Sequence, residues 1–167
     1  SDLYLNEHRE YGLSTYSKHS DGSGVAISSR LRPILNMRPK YRHWLSPSLW
    51  QLNADLHLTD WLEEKNLDFD VVTDEDLHIE GVDMLNRYRC VLTGSHPEYS
   101  SEKMLAAYES YQLNGGRWIY LGSDGFYWIS EYHPDNPNII EVRKGEAGTR
   151  AWTANPGEYN NAFDGKY

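Results

Sequence analysis

The sequence YRCVLT at residues 88–93 predicts a β-strand, because it is short, apolar and contains β-branched and aromatic side chains. The strand ends at GSHPEY (residues 94–99), where glycine and proline predict a loop. A second strand is predicted by RWIYL at residues 117–121, and it ends in the same way at GSDG (residues 122–125). Between the two strands, residues 101–116 have the apolar spacing of a helix that is closed by a glycine pair. The order strand–helix–strand predicts a βαβ unit with two parallel strands.

The rest of the chain continues this alternation. The predicted elements are a helix at 48–65, a strand at 69–72, a helix at 73–85 and β-prone stretches at 25–27, 139–143 and 150–153. Such a pattern predicts an α/β fold with a mostly parallel sheet flanked by helices. We expect a single α/β domain over residues 1–153, itself part of a larger catalytic domain, and an irregular tail or the start of a further segment over residues 154–167.

Composition and charge exclude several classes of protein. The chain has 167 residues and a mass of 19.4 kDa, which is long enough for one domain with a buried core. Aromatic side chains make up 13% of the residues, which argues against a disordered chain. No apolar run is long enough to span a membrane, and a single cysteine allows neither an intramolecular disulfide nor a Cys-based zinc site. The net charge of -9 argues against nucleic-acid binding, because neutralising phosphates requires lysine and arginine. We therefore expect a cytoplasmic protein that binds neither nucleic acid nor membrane.

The loop GSHPEY carries the residues that point most directly to chemistry. In an open α/β sheet, ligands bind at the carboxyl ends of the strands. His96 precedes a proline, which favours an extended backbone in which His96 and Glu98 project to the same side. An imidazole and a carboxylate on one side can bind a metal or share a proton. The alternative is structural, with His96 packed against the core and Glu98 capping the following helix.

Three other residues are weaker candidates. Asp124, in the loop after the second strand, supplies either a polar partner or only a turn. Tyr16 lies in a polar stretch; a phenolate suits ferric iron, but a lone tyrosine is also a common half-buried surface residue. Cys90 lies in the middle of a strand, where we expect a buried core thiol rather than a nucleophile. The sequence contains neither a phosphate-binding glycine loop nor a G-x-S-x-G elbow.

Six segments, in order from residue 11 to residue 152, resemble the large subunit of N,N-dimethylformamidase. They are YGLSTYSKHSDGSG at 11–24, SSRLRPILNMRPKYRHW at 28–44, DWLEEKNLDFDVVTDEDLHIEGVDML at 60–85, VLTGSHPEYSSEKM at 91–104, NGGRWIYLGSDGFYW at 114–128 and EVRKGEAGTRAW at 141–152. The resemblance is more specific than any single motif above.

This resemblance implies a fold, an activity and partners. It implies the carboxy-terminal catalytic region of a longer subunit, with a class I glutamine amidotransferase-like (flavodoxin-like) fold that lacks the cysteine nucleophile. Members of the family hydrolyse N,N-dimethylformamide to formate and dimethylamine at a mononuclear iron, which we expect to be ferric. Their large subunits assemble with a small partner subunit, so the resemblance also implies a small partner subunit and a homo-oligomer.

The same resemblance implies roles for five residues. Tyr16 and Glu98 match iron ligands. His96 matches an active-site histidine, which we consider both as a further ligand and as the group that orients or deprotonates water. Asp124 and Lys144 match catalytic positions, where Asp124 would hydrogen-bond the substrate or a water and Lys144 would stabilise the oxyanion. The family pattern has asparagine at position 124, and it places a second tyrosine ligand upstream of residue 1 and further catalytic residues beyond 167.

Two other functions stay open on the sequence alone. A non-catalytic amidotransferase-like domain would hold no stoichiometric metal. An aromatic-rich carbohydrate-binding module is suggested by the 13 tyrosines and 6 tryptophans, and it would respond to oligosaccharides but not to small amides.

Overall fold

The computed structural model describes residues 3–18, 20, 24–44, 47–126 and 128–143. The helices are α1 (Leu3–Glu7), a 3₁₀ turn (Arg9–Tyr11), α2 (Leu52–Glu64), α3 (Asp74–Glu80), α4 (Val82–Leu85) and α5 (Glu102–Leu113). The strands are β1 (Ile27–Ser29), β2 (Cys90–Leu92), β3 (Tyr99–Ser100), β4 (Arg117–Ile119), β5 (Trp128–His133) and β6 (Asn136–Arg143). These elements form two compact units. The first unit holds the described residues of 1–34, 99–102 and 126–143, and the second holds those of 35–98 and 103–125.

The second unit contains the predicted parallel pair of strands. Strands β2 and β4 run parallel, with Cys90 opposite Arg117 and Leu92 opposite Ile119. A cluster of buried apolar side chains comes from α3, α4 and α5. Its members are Leu77, Met84, Leu85, Met104, Ala107 and Tyr111. Cys90 is only partly buried, so the expected fully buried thiol is not observed.

Local sequence explains where α3 begins and ends. The Thr73 hydroxyl accepts a hydrogen bond from the Asp76 N–H at 3.2 Å, and the Asp76 carboxylate accepts one from the Thr73 N–H at 2.9 Å. This reciprocal capping box satisfies backbone donors at the helix start. Gly81, with a φ of 63°, separates α3 from α4. The single helix predicted over residues 73–85 is therefore two short helices.

The first unit contains a four-stranded sheet in the order β1-β6-β5-β3. Strand β6 runs antiparallel to both β1 and β5, and the parallel pair in this sheet is β3 with β5. Most of the strand pairing in the described residues is thus antiparallel. The prediction of a mostly parallel, flavodoxin-like sheet is wrong; the described chain combines helices with a mixed sheet.

The hairpin β5–β6 explains this error. No element was predicted over residues 129–133, but Trp128 and Ser130 are buried and alternate with less buried neighbours, as in a strand with one covered face. The residues between the strands are Pro134 and Asp135, and a connection of two residues joins antiparallel strands. The turn-forming sequence was the available signal for this hairpin.

Two other strand predictions have different outcomes. Residues 69–72 form no strand in the structure, and Val71 there is 74% exposed, so its β-branched side chain packs little against other residues. The stretch at 150–153 lies outside the described residues. The single domain over residues 1–153 stays a prediction, because the described residues end at 143.

None of the described helices combines the length and apolar character that crossing a membrane requires.

Candidate active site

Two loops meet at the carboxyl ends of β2 and β4, as expected for parallel neighbours. The Leu121 N–H donates a hydrogen bond to the Thr93 hydroxyl at 2.9 Å, and the Ser123 N–H donates one to the Ser95 carbonyl at 3.2 Å. Gly122 lies where the loops approach most closely, because a side chain there would collide with the facing loop. The hydrogen bonds and the glycine together hold the two loops in contact.

Asp55 in α2 fixes the first of these loops. Its Oδ1 accepts a hydrogen bond from the Ser95 N–H at 2.6 Å. Gly94 permits this approach, since a Cβ at that position would lie 3.0 Å from the Asp55 Oδ2. The helix thereby determines the position of the backbone that leads to His96.

His96 is the centre of a group that we call the His96 cluster, formed with Glu98, Ser123, Asp124 and Trp50. The side chains of His96 and Glu98 are 11% and 12% exposed, and the imidazole Nε2 lies 3.1 Å from the Glu98 Oε2. The Asp124 Oδ2 is 3.9 Å from the same nitrogen, and the Ser123 Oγ is 3.5 Å from Nδ1. The Trp50 ring lies 5.5 Å from the imidazole, measured between centroids. Carboxylates therefore face one ring nitrogen, and a hydroxyl faces the other.

The backbone brings His96 and Glu98 together through a tight turn rather than an extended segment. The Glu98 N–H donates a hydrogen bond to the His96 carbonyl at 2.9 Å, which is the i to i+2 bond of a γ-turn. Asp124 has a φ of 48°, in the left-handed region that aspartate and asparagine adopt more readily than most residues. Its side chain remains 63% exposed.

The hydrogen-bond partners define where the His96 proton lies. An ionised carboxylate can only accept hydrogen bonds. With Glu98 ionised, the proton of a neutral imidazole is therefore on Nε2, and the Nδ1 lone pair faces the Ser123 hydroxyl. An imidazole oriented in this way can take up a proton at Nδ1 and release it again.

A second candidate group, formed by two tyrosines, lies in the unit that contains the four-stranded sheet. The hydroxyl oxygens of Tyr16 and Tyr99 are 2.5 Å apart, and we call these residues the tyrosine pair. Tyr16 is 48% exposed and lies in a turn that is closed by a hydrogen bond from the Ser17 N–H to the Ser14 carbonyl at 2.8 Å. Tyr99 is the first residue of β3.

The structure brings together three of the five residues predicted for the site, namely His96, Glu98 and Asp124. Tyr16 is found in the tyrosine pair, and Lys144 lies outside the described residues. Among those described, no group of three or more His, Cys, Asp or Glu side chains is arranged to hold a metal ion.

Sequence reasoning assigned no site role to three residues of these groups or to Asp55, which holds the loop of His96. Ser123 and Tyr99 are direct neighbours of Asp124 and Glu98, so adjacency to a predicted site residue was an available signal. Trp50 and Asp55 lie 46 and 40 positions before the residues that they contact, His96 and Ser95, and no local pattern placed them beside this loop.

The fold and the His96 cluster define the class of the protein as an α/β protein in which a histidine and two carboxylates come together in the loops after two parallel strands. Residues 4–167 match the family described as N,N-dimethylformamidase beta subunit-like, C-terminal, and the chain belongs to that family. The resemblance identified from the sequence is thereby confirmed.

Two curated relatives are similar to the whole chain. It is 50% identical to the N,N-dimethylformamidase beta subunit of Paracoccus aminophilus and 51% identical to that of an Alcaligenes species. Each alignment covers 99% of this chain and 22% of the relative. The chain therefore spans about a fifth of the length of these relatives.

Proposed function

We propose that this chain forms part of the active site of an enzyme that hydrolyses small N-substituted amides, with N,N-dimethylformamide cleaved to formate and dimethylamine. The observation that carries the proposal is the His96 cluster, because it holds a proton-transferring imidazole against two carboxylates at a strand end. Its occurrence in a chain that is 50% identical to an N,N-dimethylformamidase beta subunit supports the substrate class.

We further propose a mononuclear ferric iron as the cofactor, with Tyr16 and Glu98 as its ligands from this chain. Carboxylate and phenolate oxygens are hard donors that suit this ion. The donor chemistry of the residues present therefore fits iron. The hydrogen bond between His96 Nε2 and Glu98 supports His96 as the partner of a ligand rather than as a ligand itself.

Each residue of the proposed site then has its own role in amide hydrolysis. When bound, the iron supplies Lewis-acid polarisation of the amide carbonyl. His96 takes a proton from the attacking water at Nδ1 and delivers it to the departing amine nitrogen. The exposed Asp124 carboxylate accepts a hydrogen bond from the substrate or from a bound water, and Trp50 offers an apolar surface to the N-alkyl groups. Lys144, outside the described residues, is proposed to stabilise the oxyanion.

The assembly is part of the proposal. Both relatives are named beta subunits, a name that belongs to a multi-subunit enzyme. We propose that this chain likewise works with a smaller partner subunit in a homo-oligomer. Its cytoplasmic location stays a prediction.

Replacing the proposed carboxylate ligand tests the function. We expect Glu98→Ala to lose iron and amide hydrolysis together, because the substitution removes one ligand and the partner of the His96 imidazole. Glu63→Ala is the matched control, since Glu63 is an exposed glutamate on α2. Iron per protein is measured by elemental analysis, and activity is measured as dimethylamine released from N,N-dimethylformamide.

Two outcomes contradict the proposal in different ways. Retention of both iron and activity by Glu98→Ala removes Glu98 from the site. A wild-type protein without stoichiometric iron, after growth with added iron, points instead to the non-catalytic domain.

A further inference from the structure

The tyrosine pair joins two segments that are 83 positions apart in the sequence. Tyr16 lies in an exposed turn, where its N–H donates to the Ser14 hydroxyl at 3.2 Å. Tyr99 lies in β3 and is paired in parallel register with Trp128 of β5, a strand in the interior of the four-stranded sheet. The pair thus connects a surface turn to a strand whose position the sheet determines.

The two members of the pair differ in how exposed they and their neighbours are. Tyr99 is half-buried, its register partner Trp128 is only 4% exposed, and the next residue, Ser100, is 2% exposed. Tyr16 is 48% exposed and its turn is short. Contact between the two hydroxyls therefore relates the position of the Tyr16 oxygen to that of a residue in the sheet.

The chemistry of the two phenols determines which hydroxyl donates the hydrogen bond when Tyr16 binds iron. Each hydroxyl carries one proton and can donate or accept. A tyrosine that binds ferric iron does so as a phenolate, which has no proton to give. At 2.5 Å the remaining proton then belongs to Tyr99, and the hydrogen bond runs from the Tyr99 O–H to the Tyr16 oxygen. A hydrogen bond to an ionised acceptor is shorter and stronger than one between neutral groups.

We propose that Tyr99 is a positioning residue that orients the Tyr16 phenolate and donates a hydrogen bond to it in the iron-loaded protein. This inference rests on the proposed function, because it takes Tyr16 as an iron ligand. Neighbours of this kind fix the direction of a ligand and adjust its donor strength.

The proposal predicts a spectroscopic change. A phenolate bound to ferric iron gives a visible band in which an electron moves from the phenolate to the metal. A hydrogen bond stabilises the phenolate electrons and raises the energy of that transition. We therefore expect Tyr99→Phe, which keeps the ring and removes the hydroxyl, to move the band to longer wavelength. We also expect iron affinity to fall by about 10- to 100-fold while saturating iron still fills the site.

The experiment uses the native assembly saturated with iron. Tyr88→Phe is the matched control, because it also removes a hydrogen-bonding hydroxyl, the one that donates to Asp70 at 2.9 Å, and it should leave the band in place. Circular dichroism establishes that each variant is folded. As a second measurement on the wild-type protein, resonance Raman excitation in the same band should show phenolate vibrations that shift in D₂O.

The outcomes separate this inference from the proposed function. An iron band that Tyr99→Phe does not move overturns the positioning role and leaves the proposed function standing. Loss of iron from a folded Tyr99→Phe variant at saturating iron also overturns it, since Tyr99 would then be a ligand. Phenolate vibrations that do not change in D₂O overturn it even if the variant fails to fold. A wild-type protein with no iron band overturns both.

Discussion

The two sheets in the described part of the chain place their polar side chains differently. Beyond the ends of the parallel pair β2 and β4, His96 and Glu98 lie in loops, and Asp124 is 63% exposed. In the mixed four-stranded sheet, Glu141 and Arg143 lie inside strand β6 and are only 6% and 7% exposed. The Arg143 guanidinium donates to the Glu141 carboxylate at 3.2 Å.

This difference follows from strand geometry. Parallel strands end at the same edge, so their following loops bring polar residues together at the surface, where substrates have access. Within a strand, residues two positions apart share a face, and a covered face buries whatever it carries. A buried charged pair of this kind has a structural role, whereas polar groups in strand-end loops are available for chemistry.

Breaking the buried pair should give the largest effect. Arg143→Met removes the guanidinium that neutralises Glu141, and we expect the free energy of unfolding to fall by about 3–5 kcal/mol. Denaturant unfolding followed by tryptophan fluorescence measures the loss. The double variant Arg143→Met with Glu141→Leu should recover most of it, because no buried charge then remains. A single variant as stable as the wild type would show that the pair is not buried in solution.

Removing the anchor of the His96 loop should give a smaller loss of stability and a clear loss of activity. Asp55→Ala leaves the partly buried Ser95 N–H without its acceptor, at a cost of about 1–3 kcal/mol. The matched control is Asp60→Ala, an exposed aspartate on the same helix. Thermal unfolding and amide hydrolysis are measured for both. Equal activities in the two variants would mean that α2 does not position the loop.

The smallest effect is expected at the start of α3. Thr73→Ala removes the capping hydroxyl and should cost about 1 kcal/mol, whereas Thr73→Ser keeps the cap and serves as the control. Hydrogen bonds from the Thr73 side chain and then its backbone hold the pKa of Asp76 below its ordinary value. This contribution to stability is present above the ordinary pKa of aspartate and is lost as the pH falls through the lowered value. Unfolding measured at decreasing pH should therefore show the wild type and Thr73→Ala converging.

Sequence patterns predicted the parallel pair β2 and β4 and the helix between them because each of these signals is local. The apolar runs at β2 and β4, the glycines after them and the helix between them are all visible in a short window. The mixed sheet was missed because its central hairpin depends on a two-residue turn at Pro134 and Asp135, and because strand β3 has only two residues. A strand of that length has no periodicity of its own, and only its neighbour defines it.

The candidate site divides in the same way. His96, Glu98 and Asp124 were predicted because each follows a recognisable strand and resembles a family position. Asp55 and Trp50 were not, since each acts through a contact across about 40 residues of sequence. The tyrosine pair combines both cases, with Tyr16 indicated by resemblance and its Tyr99 partner found only through the sheet.

The sequence by itself determined the family, the parallel strand pair and the residues at its ends, because periodicity, turn residues and motif identity are local properties of the chain. The tertiary structure alone decided the mixed sheet, the buried Glu141–Arg143 pair and the partners that hold His96 and Tyr16. Those features depend on which distant segments come into contact, and contact between distant segments is set by the packing of the whole unit rather than by any stretch of residues.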